Sequence, residues 1–136
     1  MATAQIFNSF REALAEKVHD LGTDTLKFML SNTAPSLANA IKTDITEIAA
    51  GSGYTAGGAT VTVTSSSQSG GTYSLVLDNC TITASGGAIG PFRYIVLYND
   101  TATNDELIGY VDYGVSYTLP DGQPFVIVAG TFFTLA

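Results

Sequence analysis

A glycine-rich stretch, GGAIGPFRYIVLYND at residues 86–100, is the part of the sequence that most resembles a ligand-binding loop. Such loops hold phosphates when a helix follows, because the helix N-terminus presents free N–H groups and a positive dipole end to the anion. Here Pro91 and a run of aromatic and β-branched residues follow, which predicts a strand instead. We therefore interpret the stretch as a tight corner and predict no cofactor.

The chain has one histidine and one cysteine, and the sequence supplies neither with catalytic companions. His19 falls on the polar side of a predicted helix, near its C-terminus, where a solvated or capping role is expected. No Ser-His-Asp or Cys-His arrangement can be built around it. Cys80, in NCTIT, is predicted to be a small buried hydrophobe. We predict that the protein is not an enzyme and has no catalytic residues.

One loop, DTATNDE at residues 100–106, is rich in oxygen ligands. Asp100, Asp105 and Glu106, with Asn104 beside them, are the candidate ligands of a calcium ion, the only metal that the sequence suggests. Their spacing does not match the helix-loop-helix pattern of a calcium loop. A solvated hairpin tip is the simpler interpretation.

Charge is sparse and unevenly distributed along the 136 residues. Apolar residues make up 46% of the chain and charged residues only 12%, and the net charge of −7 arises in residues 43–136, where Arg93 is the one base. An acidic body repels phosphate backbones, so we predict no nucleic-acid partner. No apolar run approaches the length of a membrane span, so we predict no membrane partner. Arg93 is expected to pair internally with an acid such as Asp112, or else across a subunit contact.

The elements that must position these residues begin with a predicted helix over residues 5–21. Its apolar stripe consists of Ile6, Phe10, Ala13, Leu14, Val18 and Leu21. These residues recur at steps of three and four, the spacing of one helix face. Gly22 is well placed to end the helix.

Short strands separated by turns are predicted from residue 25 to the C-terminus. A change in alternation at Asp78 and Asn79 indicates a bulge or tight turn, and NAIKTDITEIAAGSG is predicted to be a short helix or irregular. Eight or so strands at spacings near ten residues favour an antiparallel β-sandwich, jelly-roll-like or immunoglobulin-like. We expect a single mainly β domain over 1–136, with the sandwich over 25–136.

The order of segments resembles a family of small virion structural proteins of tailed bacteriophages. The resemblance rests on an amphipathic N-terminal helix followed by TLKFMLSNTAPS, TDITEIAAGSGYTAGGATVTVTSSSQSGGTY, TASGGAIGPFRYIVLYND and LIGYVDYGVSYTLPDGQPFVI. It covers nearly the whole chain, but it is carried by structural glycines and strand residues. The resemblance implies a virion protein made in the host cytoplasm: a capsid decoration (cement) protein, or a short head, neck or tail fibre.

Among these roles the short, compact chain without stalk or repeat favours head decoration. The expected partners are the major capsid protein or other virion proteins, with self-association as a trimer or dimer. We predict docking through residues 5–21, with Phe10 and Leu14 at the contact, or through the SNTAP edge that follows the first predicted strand. Tyr110, Tyr113 and Tyr117 are further interface candidates, because tyrosine suits half-wet contacts.

A receptor- or carbohydrate-binding module is the competing function class. It predicts exposed tyrosines beside Asp and Asn at loop tips, and Tyr98, Asn99 and Asp100 form the sequence that best fits this requirement.

Overall fold

A computed structural model describes residues 3–136 and shows a mainly β protein whose paired strands are all antiparallel. Within those residues the only α-helix is α1, Asn8–Ala15, and a single 3₁₀ turn covers Lys42–Asp44. The ten strands are β1 (Gln5–Ile6), β2 (Leu26–Ser31), β3 (Ala59–Val61), β4 (Val63–Ser69), β5 (Thr72–Leu77), β6 (Cys80–Thr83), β7 (Ile89–Asn99), β8 (Leu107–Leu119), β9 (Pro124–Ile127) and β10 (Gly130–Leu135). The predicted fold class is confirmed.

Three sheets form the two layers of the sandwich. The larger sheet has the strand order β1-β8-β7-β2-β3, and the second layer consists of a three-stranded sheet, β10-β5-β4, and a two-stranded sheet, β6-β9. The chain passes from one small sheet to the other at Asp78 and Asn79, between β5 and β6. The predicted change of alternation at these residues is confirmed, and it takes the form of a two-residue break between strands rather than a turn.

The main core lies between the layers and draws on every sheet. Phe28 of β2 and Leu75 of β5 are fully buried, and Ile82 of β6 is 5% exposed. Burying one such side chain stabilises a protein by about 1.5–3 kcal/mol. Cys80 belongs to the same core, which confirms its prediction as a small buried hydrophobe.

The larger sheet is also covered on its outer face. Strand β7 lies between β8 and β2, and its apolar residues on both faces predict cover on both sides. The helix or a partner is the expected cover of the second face, but Phe7, the residue before α1, and Ile45 of the segment 32–58 provide it. This segment is irregular apart from the 3₁₀ turn, which confirms that prediction. The outer cluster comprises Phe7, Met29, Ile45, Val96, Tyr98 and Leu107.

Two buried tyrosine hydroxyls fasten the covering segment to the sheet. The Tyr54 hydroxyl accepts the Leu30 N–H (3.0 Å) and donates to Glu47 Oε2 (2.5 Å). The Tyr98 hydroxyl donates to the Gly57 carbonyl (2.5 Å). Burial raises the pKa of both tyrosines above the ordinary value. The segment is therefore held by satisfied buried polar groups as well as by apolar packing.

The helix begins later than predicted. The expected range was 5–21, but Gln5 and Ile6 pair with Tyr110 and Gly109 of β8 and form a short edge strand. The free edge of β8 at this point offers the backbone of those residues hydrogen bonds that a first helical turn lacks. The β-structure therefore begins at Gln5, before the helix, and not at residue 25.

The helix also ends earlier than predicted, at Ala15. Lys17 adopts a φ of 68°, and the Val18 N–H donates to the Ala13 carbonyl (2.9 Å). These contacts form a Schellman motif, which ends a helix even though the left-handed residue here is not glycine. Leu21 still reaches the main core, so the apolar stripe continues beyond the helix. No helix among residues 3–136 has the length and apolar content to cross a membrane.

Candidate functional site

A large bulge interrupts β8 where it pairs with β7. Tyr94 pairs with Asp112, and the next pair along the ladder joins Phe92 to Tyr117. Four residues of β8, 113–116, therefore stand opposite one residue of β7. All four are exposed. Bulges of this kind redirect side chains away from a sheet surface.

The same bulge changes which face of β7 its aromatic residues occupy. Alternation along FRYIVLY predicts that Phe92 shares a face with Tyr94, Val96 and Tyr98, as in a regular strand. This prediction is wrong, because a register shift lies between Phe92 and Tyr94 and Phe92 lies in the main core. The residues of β7 in the main core are Ile89, Phe92, Ile95 and Leu97.

An ion pair holds the base of the bulge. Arg93 Nε lies 2.8 Å from Asp112 Oδ1, and Arg93 NH2 lies 3.0 Å from Asp112 Oδ2. Asp112 Oδ1 also accepts the Gly114 N–H (2.8 Å). The Arg93 hydrogen bonds, followed by the Gly114 N–H, lower the pKa of Asp112, and the Asp112 hydrogen bond raises the pKa of Arg93. The predicted internal pair is confirmed.

An aromatic cluster lies between the bulge and β9. The Phe125 ring centroid is 5.4 Å from that of Tyr113, 6.2 Å from that of Tyr117 and 5.0 Å from that of Phe92. A cavity of about 510 Å³ opens beside these rings, with Ile95 among its lining residues. We define the apolar groove as this cavity and its rim, formed by Tyr113, Tyr117, Phe125, Val126 and Val128.

Exposed large apolar side chains are concentrated at this groove. Among residues 3–136 there are six, and three belong to the groove: Tyr113 (46% exposed), Val126 (45%) and Val128 (56%). A fourth, Val115 (60%), lies in the adjoining bulge. Scattered exposed apolar residues are ordinary, but a cluster marks a contact surface. The groove therefore has the composition of a protein-binding site.

A second concavity, of about 820 Å³, lies beyond the end of α1. We call it the polar groove. It runs between segment 17–24, the loop 101–106 and one side of β4 and β5, and its charged or titratable lining residues are Lys17, His19, Asp20, Asp24, Tyr73 and Glu106. It is larger than the apolar groove, but Asp24, Tyr73 and Glu106 are already hydrogen-bonded within the protein.

Asn99 connects the elements beneath the polar groove. Its Oδ1 accepts the N–H groups of Thr101 (2.9 Å) and Ala102 (3.2 Å), which orients the amide. Its Nδ2 group therefore donates, to Asp24 Oδ2 (2.7 Å) and to His19 Nδ1 (3.0 Å). Because Nδ1 of His19 is an acceptor, the ring proton of the neutral imidazole is on Nε2.

His19 is a buried residue, so the predicted solvated or capping role is wrong. Its side chain is 6% exposed, its ring lies 5.1 Å from that of Phe10, and its Nε2 has no hydrogen-bond partner. Burial lowers the pKa of His19, although the negative charges of Glu106 and Asp24 act in the opposite direction. His19 lies beyond the helix end, where helical spacing no longer predicts its direction.

The predicted interface residues separate into two groups. Phe10 is 3% exposed and lies in the main core, so its predicted docking role is wrong, and Leu14 packs half-buried against the same core. Tyr110 is half-buried, 5.6 Å from the Phe7 ring in the outer cluster. Tyr113 and Tyr117 lie together at the apolar groove.

The acidic loop does not assemble its carboxylates. Asp100 lies 3.6 Å from Lys27 Nζ, and Glu106 Oε1 accepts the Asn104 N–H (2.7 Å). Asp105 has a φ of 51°, and its carbonyl accepts a backbone N–H from the 3₁₀ turn. Across residues 3–136 no three His, Cys, Asp or Glu side chains are grouped so that they could hold a metal ion.

The structure also rules out the sugar site suggested at residues 98–100. Tyr98 is 1% exposed and Asn99 is fully buried, so neither side chain can stack on a ligand or bind one. Among the tyrosines of the described chain, Tyr113 alone is exposed.

Sequence reasoning missed the contribution of β9. PFVIVAG was recognised as a strand, but Val126 and Val128 were not named as surface residues. The available signal was the uninterrupted apolar run, which places Phe125 and Ile127 inward and leaves two valines outside. No protein-family model, curated protein or solved structure matches this chain.

Proposed function

We propose that this chain is a non-enzymatic structural protein of a tailed-bacteriophage virion, with decoration of the capsid head as its role. The observation that carries the proposal is the apolar groove, an exposed cluster on a chain that is otherwise acidic. Its one carboxylate, Asp112, is already paired with Arg93. A protein partner can cover this surface without leaving a buried charge unpaired.

Attachment of this kind is driven by the apolar surface area buried in the contact, and it does not need a deep binding pocket. Each Å² of apolar surface removed from water contributes roughly 25 cal/mol. One groove of this size gives a modest affinity, because association also costs translational and rotational freedom. A symmetric lattice that engages many copies at once adds avidity without tighter single contacts.

The resemblance to small phage virion proteins supports the assignment to a particle. The docking surface in this proposal differs from the helix that the sequence suggested, because Phe10 faces the core. Residues at the groove replace it, and Tyr113 and Tyr117 are the two members that the sequence had already indicated.

A short fibre that binds a carbohydrate receptor is the second candidate. One observation favours it: the exposed ring of Tyr113 follows Asp112 directly, which places an aromatic face beside a carboxylate. This arrangement predicts that a sugar raises the melting temperature of the protein and that Tyr113→Ala removes the shift.

The copy number of this chain in purified particles, relative to the major capsid protein, tests the proposal. We expect near-stoichiometric abundance by quantitative mass spectrometry. A handful of copies per particle would favour the fibre or neck role. Absence from the particles would overturn the virion assignment.

A further inference from the structure

The sheet edges of this molecule differ in how they are protected. Strand β4, an edge of the three-stranded sheet, has the polar sequence VTSSSQS. Strand β9 pairs only with β6, has the sequence PFVI, and is followed by exposed Val128. Edge strands are protected by polar or charged side chains or by proline, and β9 has only Pro124, at its start. Its free edge is open to another strand.

The backbone groups of Val126 point to that free edge. The Ala84 N–H donates to the Gln123 carbonyl (3.0 Å), and hydrogen-bonded residues alternate along an antiparallel pair. By the register of this pair, the backbone N–H and C=O groups of Phe125 and Ile127 point to β6, and those of Val126 point away from it. Pro124 has no N–H, so pairing at this edge is centred on the residues after it.

We propose that β9 pairs antiparallel with β9 of a second copy, about a two-fold axis at Val126, and that the two apolar grooves close against each other. This inference rests on the proposed structural role, and it adds that the protein forms a homodimer through β9. The pair would exchange two N–H to C=O bonds between the Val126 residues and would cover Val128 and the bulge residue Val115.

Charge restricts where a second copy can bind. The chain has a net charge of −7, so two copies repel each other over most of their surface. The groove rim consists of uncharged residues, and Asp112 is held by Arg93. The polar groove, by contrast, carries Asp20, Asp24 and Glu106 against the single base Lys17. The apolar groove is the surface where two identical acidic chains can meet.

The contact is also self-complementary. Antiparallel pairing about Val126 places Phe125 of one copy opposite Ile127 of the other. Both side chains are apolar, so the pairing brings no polar group against an apolar one. A two-fold contact uses the same patch twice, which is the commonest arrangement in homo-oligomers.

Analytical ultracentrifugation over a thousand-fold range of concentration tests the inference on the full chain. We expect a reversible wild-type dimer, and we expect Val126→Lys to raise its dissociation constant by about 100-fold, because like charges then meet at the axis. Leu135→Lys is the matched control, since Leu135 is an exposed apolar residue (51%) at the edge strand β10. Circular dichroism verifies that each variant is folded.

Mixing two variants tests the two-fold axis itself. Val126→Lys and Val126→Glu should each be monomeric, and their equimolar mixture should form a heterodimer. A monomeric wild type at every concentration would overturn the inference, as would a dimer that Val126→Lys leaves intact or a mixture that stays monomeric. A monomeric protein that is nevertheless abundant in particles would leave the proposed function standing and reject only the homodimer.

Discussion

The two grooves differ in what their side chains do for the folded chain. At the polar groove, Asn99 satisfies two backbone N–H groups, a carboxylate and a histidine nitrogen, so its polar atoms are used in holding the loop 101–106 against segment 17–24. At the apolar groove, by contrast, Val126 and Val128 remain exposed. The larger concavity is structural and the smaller one is available for binding.

Judged by volume alone, the polar groove would be the candidate binding site. The polar groove is larger, at about 820 Å³, and it contains the only histidine. Its Nε2 lacks a partner, but the side chain is buried and its carboxylate neighbours are not grouped as a metal site. Unsatisfied apolar surface is the more informative feature, because folding normally removes it.

The largest effect on stability is expected for a substitution of Phe10, which lies next to the polar groove. Phe10→Ala should lower the free energy of unfolding by about 3–5 kcal/mol, the usual cost of such a cavity. Chemical denaturation measures it. Leu14→Ala is the matched control one turn away, and it should cost less because Leu14 is half-buried. A Phe10→Ala variant with wild-type stability but lost assembly would restore the docking role of the helix.

Asn99→Ala should have the next largest effect. It removes the buried hydrogen bond to His19 and the part-buried bonds to Asp24, Thr101 and Ala102, which we expect to cost about 1–3 kcal/mol of unfolding free energy. Asn104→Ala changes an exposed amide in the same loop and should be close to neutral. Equal melting temperatures for the two variants would show that the polar groove is not held by Asn99.

A pH dependence should follow from His19. Its pKa is lowered in the folded state from 6.5, so above pH 6.5 both states are neutral and its contribution is unchanged. As pH falls below 6.5 the unfolded chain binds the proton first, and stability declines until the folded-state pKa is passed.

Two measurements check this dependence. Proton NMR should place the titration of His19 in the folded protein below 6.5. The loss of melting temperature between about pH 7.5 and about pH 5.5 should be smaller in His19→Gln than in the wild type. A folded-state pKa at or above 6.5 would contradict the burial argument.

The smallest effect on stability is expected at the apolar groove. Val126→Ser and Val128→Ser should each change the free energy of unfolding by within about 0.5 kcal/mol, because they alter exposed side chains. Both should nevertheless weaken self-association in sedimentation. A large loss of stability with unchanged association would reverse the contrast between the two grooves.

Periodicity in the sequence predicted the strands well and the ends of the helix poorly. The change of alternation at Asp78 and Asn79 correctly located a break between two strands, because inward residues cannot change parity along an uninterrupted strand. The apolar stripe, however, continued through Val18 and Leu21 although the helix ends at Ala15. The chain after a Schellman motif can return apolar residues to the same core, so helical spacing overstates the length of the helix.

The candidate site was only partly predictable for a related reason. Tyr113 and Tyr117 were identified from residue type, and the pairing of Arg93 with Asp112 from the scarcity of bases. The bulge at 113–116 could not be foreseen, because it depends on the register between β7 and β8 and not on local sequence. Burial of His19 was missed because Asn99, its partner, lies 80 residues away.

Hydrogen–deuterium exchange of the assembled protein, compared with the Val126→Lys monomer, tests the central claim most directly. The account predicts that assembly slows exchange at residues 113–116 and 126–128 and leaves residues 17–24 and 100–106 unchanged. Protection confined to segment 17–24 and the loop 100–106 would contradict it, and would show that the polar groove is the contact surface.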